Sequence, residues 1–149
     1  MRRLISIIAI YFCLSAPLAS ALSDSDKTTI ENACKAFVDN GLAERIEVAV
    51  QPPDGITYLI MSNSPSDVDR GIAVALGVWL FSSLTYYHPE VTKGTIGLFY
   101  DVPTGGSRYA FVNIYPSDLW PITDRKNPTL AEASQVGVMI VERAVQEKQ

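Results

Sequence analysis

Few residues of this sequence could carry out chemistry, and the first two to consider are Cys34 and His88. A cysteine beside a histidine can form a nucleophile–base pair, in which the imidazole takes the thiol proton. Cys34, however, lies one helical turn after Ile30, and a cysteine in an apolar stripe usually packs as a small hydrophobe. We therefore predict no catalytic residue. The alternative is a small hydrolase or transferase that uses His88, with Asp101 or Asp118 as its partner.

The residue types do not indicate a metal site or a cofactor-binding site. After residue 21 the chain has a single histidine and a single cysteine, which excludes multi-histidine zinc sites and thiolate clusters. Gly105 and Gly106 join two strand-like segments, so they predict a hairpin turn rather than a phosphate-binding loop ahead of a helix. We expect no metal ion and no cofactor.

Aromatic side chains form the most suggestive pattern for binding. Tyr87 and His88 close a long apolar segment, and Tyr115 and Trp120 lie in a proline-containing connector. Large rings with a polar edge are enriched at interfaces and in ligand grooves, although they also close off the ends of hydrophobic cores. We expect Tyr87, His88, Tyr115 and Trp120 to contribute to a surface that binds a partner or a ligand.

The first 21 residues have the order of a secretory signal peptide. Arg2 and Arg3 precede an apolar core at residues 4–14, and Ala19-Ser20-Ala21 offers small side chains for cleavage. A membrane-spanning helix needs about 20 residues, and this core is shorter. We therefore predict cleavage after Ala21 and a single exported domain, residues 22–149, in the periplasm or outside the cell.

Cleavage also changes the charge of the chain. It removes two of the twelve basic residues and none of the sixteen acidic ones, which leaves a net charge of −6. Binding to nucleic acid needs a concentrated positive patch, and binding to anionic membrane surfaces needs basic clusters. We expect no nucleic-acid partner and no membrane association, and instead a protein or a small ligand as the partner.

Hydrophobic periodicity predicts an α+β fold with the order helix, hairpin, helix, hairpin, helix. Helices are expected at about 26–40, at about 67–87 and after Asn127 as an N-cap, with Pro128 as the first helical residue. Strands are expected at residues 44–51, 56–61, 95–100 and 108–114. The simplest arrangement is a four-stranded, mainly antiparallel sheet packed with helices. The pairing between the two hairpins stays open.

The central helix needs an explanation of its own. From Gly71 to Tyr87 there is no charged residue, and nearly every face is apolar. Such a helix is either buried in a core or inserted in a membrane. We predict a buried helix, with a membrane-associated component of an envelope assembly as the alternative. Together these features predict an exported, non-catalytic binding or accessory protein that acts through protein or ligand contacts.

Overall fold

The computed structural model of the protein describes residues 22–64, 66–102 and 104–149. The helices and strands follow in the order α1 (Asp24–Asp39), β1 (Arg45–Gln51), β2 (Gly55–Met61), α2 (Asp67–Tyr87), β3 (Lys93–Asp101), β4 (Ser107–Ile114), a short 3-10 helix (Pro116–Leu119) and α3 (Leu130–Gln146). The predicted α+β class and the order of helices and hairpins are confirmed. The predicted signal peptide, residues 1–21, lies outside the described residues.

The four strands form one mixed sheet in the order β1-β2-β3-β4. Each hairpin pairs antiparallel, as predicted, whereas β2 and β3 run parallel, with Ile56 opposite Gly94 and Ile60 opposite Leu98. A parallel pair needs a crossover connection, and α2 supplies it between β2 and β3. β2 and β3, which α2 connects, are therefore the strands through which the two hairpins pair.

The helices pack on one face of this sheet. Tyr58 of β2 and Ile96 of β3 point to that face and are fully buried. Contact with α2 is close, since a Cβ at Gly77 would lie 2.8 Å from the Ile96 side chain. Strand side chains alternate between the two faces, so Phe99 and Tyr109 lie on the opposite face, where their ring centroids are 4.9 Å apart. No described helix covers that second face.

α2 is the central helix of the fold. It begins after the N-cap Ser66, whose hydroxyl accepts the N–H of Asp69 at 3.1 Å, and it ends before His88. By length and composition it is the one helix among the described residues that could cross a membrane, yet 61% of its most apolar window is buried within the fold. The sheet and the two neighbouring helices provide that burial.

α3 begins two residues later than predicted from the sequence. Thr129 is its N-cap: its hydroxyl accepts the N–H of Glu132 at 3.1 Å, and the Glu132 carboxylate accepts the N–H of Thr129 at 3.0 Å. This reciprocal capping box satisfies two backbone N–H groups at once. The prediction that Asn127 caps the helix and Pro128 begins it is wrong. The capping box of Thr129 and Glu132 satisfies more backbone N–H groups than a single capping side chain, and the helix begins after it.

Candidate functional site

A cavity of about 310 Å³ opens between α1 and α2 on the helix side of the sheet. Its apolar wall includes Ile30 and Ala33 from α1 and Leu80 and Leu84 from α2. Its polar groups come from both helices and from the residue after α2: Asp26, Thr29, Ser83 and His88. Binding sites for small molecules have volumes of about 300–1,000 Å³, so this cavity could hold one small organic molecule.

Tyr58 forms the inner wall of the cavity. It lies on β2, an internal strand, and its side chain has no exposed surface. Its hydroxyl is buried and has no hydrogen-bond partner among the described residues. Burial raises the pKa of this hydroxyl well above its usual value of 10, so it stays protonated. A buried hydroxyl without a partner costs about 1–3 kcal/mol, and this one belongs to a residue that lines the cavity.

His88 lies at the mouth of the cavity, directly after α2. Its Nε2 is 3.3 Å from Oδ1 of Asp26, and its Nδ1 is 3.1 Å from Oε1 of Glu90. The other oxygen of Asp26 accepts the backbone N–H of Ser23 at 2.8 Å and its hydroxyl at 2.7 Å. These bonds from Ser23, more than the charge of His88, lower the pKa of Asp26. The imidazole thus connects two carboxylates from different parts of the chain.

The acids predicted as partners of His88 lie elsewhere. Asp118 binds the guanidinium of Arg143, with contacts of 2.5 and 3.1 Å. Asp101 accepts the hydroxyl of Ser107 at 2.7 Å across the second hairpin. The prediction of Asp101 or Asp118 as a partner is therefore wrong, because packing of α1 against α2 brings Asp26 to His88 instead.

Cys34 does not line this cavity. It is 3% exposed within the core and borders a different cavity, together with Glu31 and Arg45. Burial, followed by the charge of Glu31, raises the pKa of the Cys34 thiol to about 12. Since the thiolate is the nucleophile, this thiol is inert near neutral pH. The prediction that Cys34 packs as a small hydrophobe is confirmed.

The four residues predicted to bind a partner or ligand fall in two places. Tyr87 and His88 both line the cavity. Tyr115 precedes the 3-10 helix, with the guanidinium of Arg143 5.5 Å from its ring centroid, and Trp120 follows that helix and is 69% exposed. The structure brings Tyr87 and His88 together, and neither Tyr115 nor Trp120 lines the cavity with them.

Tyr58 and Asp26 are two residues of this site that were not predicted from the sequence. One signal for Tyr58 is available in the sequence, since it shares a strand face with Ile56 and Ile60. A tyrosine in a buried apolar row normally needs a partner for its hydroxyl. Asp26 gives no comparable signal, because its position near the N-terminus of a helix is explained by capping alone.

Comparisons with known proteins give no match. No protein-family model matches the sequence, and no curated protein and no solved structure is significantly similar to it.

Proposed function

We propose that this chain is an exported, non-catalytic binding protein that holds a small, mainly apolar molecule in the cavity between α1 and α2. The observation that carries this proposal is the Tyr58 hydroxyl, which is buried on the inner wall without a partner among the described residues. Buried polar groups in folded proteins are almost always hydrogen-bonded. A ligand with one hydrogen-bonding group satisfies Tyr58 after a small shift of this side chain, which has no exposed surface, while the rest of the molecule packs against Ile30 and Leu84.

Two contributions of different size favour such a ligand. Removing apolar surface from water gains about 25 cal/mol per Å², and an aromatic ring buries about 150–250 Å². A hydrogen bond to the Tyr58 hydroxyl adds about 0.5–1.5 kcal/mol. The apolar walls therefore supply most of the affinity, and Tyr58 supplies the preference for a ligand with a hydrogen-bonding group.

Catalysis by His88 has weaker support from the geometry. Two carboxylates orient the imidazole, as expected for a general base, and Ser83 and Thr29 line the same cavity. A nucleophile must also be within hydrogen-bonding reach of its base. In the part of the chain that the structure describes, no hydroxyl bonds to His88, and Thr29 donates to the carbonyl of Ser25 instead. Across the same residues, no group of three or more His, Cys, Asp or Glu could hold a metal ion.

Toluene and p-cresol test the proposal, because they differ by one hydroxyl group. We expect p-cresol to bind the wild-type protein about threefold to tenfold more tightly than toluene, since its hydroxyl pairs with that of Tyr58. In Tyr58→Phe this preference should be lost or reversed, because the hydroxyl of p-cresol then has no partner in the cavity. Isothermal titration calorimetry gives both dissociation constants. Chemical denaturation should show that Tyr58→Phe does not lower the free energy of unfolding, because the group it removes has no partner.

Tyr109→Phe is the matched control, because it removes the same hydroxyl on the opposite face of the sheet, where Tyr109 is 56% exposed. The ratio of the two affinities should stay at its wild-type value in this variant. Failure of both probes to bind the wild-type protein would refute the binding function. A ratio that is the same in wild type and in Tyr58→Phe would exclude Tyr58 from the site.

A further inference from the structure

The mouth of the cavity between α1 and α2 carries an excess of negative charge. The side chain of Asp26 lines the cavity and is 29% exposed. That of Glu90 does not line the cavity, but it contacts His88, which does, and it is 47% exposed. Both carboxylates pair with His88, whose side chain is 21% exposed. The three groups carry a net charge of −2 when the imidazole is neutral and of −1 when it is protonated.

Both carboxylates are held in their ionised form by bonds from the protein itself. The hydroxyl of Ser23 makes the largest contribution to the lowered pKa of Asp26. The pKa of Glu90 is lowered first by its own backbone N–H and then by His88. A further positive group at the mouth therefore meets charged carboxylates, and it is attracted by both of them.

An aromatic ring at the mouth also suits a cation. Tyr87 lines the cavity and is 56% exposed, and the ammonium of Lys126 lies 5.9 Å from its ring centroid. This is within the distance at which a cation is attracted to a ring face. Lys126 does not line the cavity, but its charge offsets part of the field of Asp26 and Glu90. The preference for a cation should therefore be moderate.

We propose that the ligand is a small organic amine, with its positive group held by Asp26 at the mouth and attracted by the charge of the neighbouring Glu90, and with its apolar body inside. This rests on the proposed function, because it names the chemical class of the ligand for the same cavity. The carboxylates alone would not define a site. The independent sign of a ligand is Tyr58, which lines the same cavity and whose buried hydroxyl has no partner among the described residues.

Three probes with the same phenol ring test the inference: 4-ethylphenol is neutral, tyramine is positively charged and 4-hydroxyphenylacetate is negatively charged. We expect tyramine to bind about threefold to tenfold more tightly than 4-ethylphenol, and 4-hydroxyphenylacetate to bind more weakly than 4-ethylphenol. Raising the salt concentration from about 0.05 M to about 0.5 M should shrink the difference, because salt screens exposed charges. Calorimetric titration provides the affinities.

Two variants assign the preference to the carboxylates. Asp26→Asn and Glu90→Gln should each move the ratio of tyramine to 4-ethylphenol affinity towards one. Glu90→Gln leaves the bonds between Ser23 and Asp26 intact, so it stays informative if Asp26→Asn loosens the start of α1. Asp24→Asn is the control: it removes a charge from the same helical turn, where the Asp24 side chain is fully exposed, and should not change the ratio.

The outcomes separate this inference from the function on which it rests. Binding of 4-ethylphenol without a preference for tyramine would overturn the proposal of an amine ligand but would not contradict the binding function. A preference for tyramine that persists in both Asp26→Asn and Glu90→Gln would also overturn it. If none of the three probes binds, the proposed function itself fails.

Discussion

Replacing Phe81 with alanine is expected to lower the free energy of unfolding by about 3–5 kcal/mol. Phe81 has no exposed surface, and a Cβ added at Gly94 would lie 2.7 Å from its ring and from Ile114. Because helix and sheet meet so closely there, the surroundings have little room to collapse into the space left by the ring. Urea denaturation in detergent-free buffer measures this loss. It is a large part of the free energy of unfolding of a typical domain, which is about 5–15 kcal/mol.

Val68→Ala is the control on the same helix, because Val68 is 72% exposed. Its effect should stay within about 0.5 kcal/mol, as for most surface substitutions. A similarly small effect of Phe81→Ala would show that α2 is not packed as the core helix described above. That result would favour the alternative in which this helix inserts into a membrane.

Ala33→Phe is expected to weaken p-cresol binding at least about a hundredfold, which corresponds to about 2.8 kcal/mol of binding free energy. Ala33 lines the cavity from α1 and is partly buried against the core. A phenyl ring at this position occupies the space that the ring of the ligand needs. The fold should be kept, since filling a cavity often stabilises a protein. Calorimetry with p-cresol and urea denaturation measure the two effects separately.

Ala36→Phe introduces the same ring three residues later on α1, at an exposed position outside the cavity. This variant should bind p-cresol as the wild-type protein does. If Ala33→Phe is folded and also binds p-cresol normally, the ligand site cannot be the cavity between α1 and α2.

The parts of the fold that were predictable are those with local signals. α2 begins after Ser66, whose hydroxyl caps it, and ends before His88, which precedes a proline. Both signals act on adjacent residues. Gly105 and Gly106 predict a turn, and both adopt a positive φ, of 92° and 88°, that favours glycine. The capping box at Thr129 is also local, but it competes with the Asn127-Pro128 pattern, and the sequence alone does not decide between them.

The candidate site was predictable only in part, because it depends on packing between distant elements. Tyr87 and His88 are neighbours in sequence, so the aromatic pattern places them together. Asp26 reaches His88 only because α1 packs beside α2, and no local pattern encodes that contact. For Tyr115 and Trp120, the spacing shows that they share a connector but not in which direction the connector leads.

A crystal structure of the protein grown with p-cresol would decide whether the cavity between α1 and α2 is a binding site. We expect the ring of p-cresol to lie between the two helices, with its oxygen about 2.5–3.0 Å from Oη of Tyr58. A cavity without p-cresol at saturating concentration would contradict the binding function. So would p-cresol bound only on the opposite face of the sheet, against Phe99 and Tyr109.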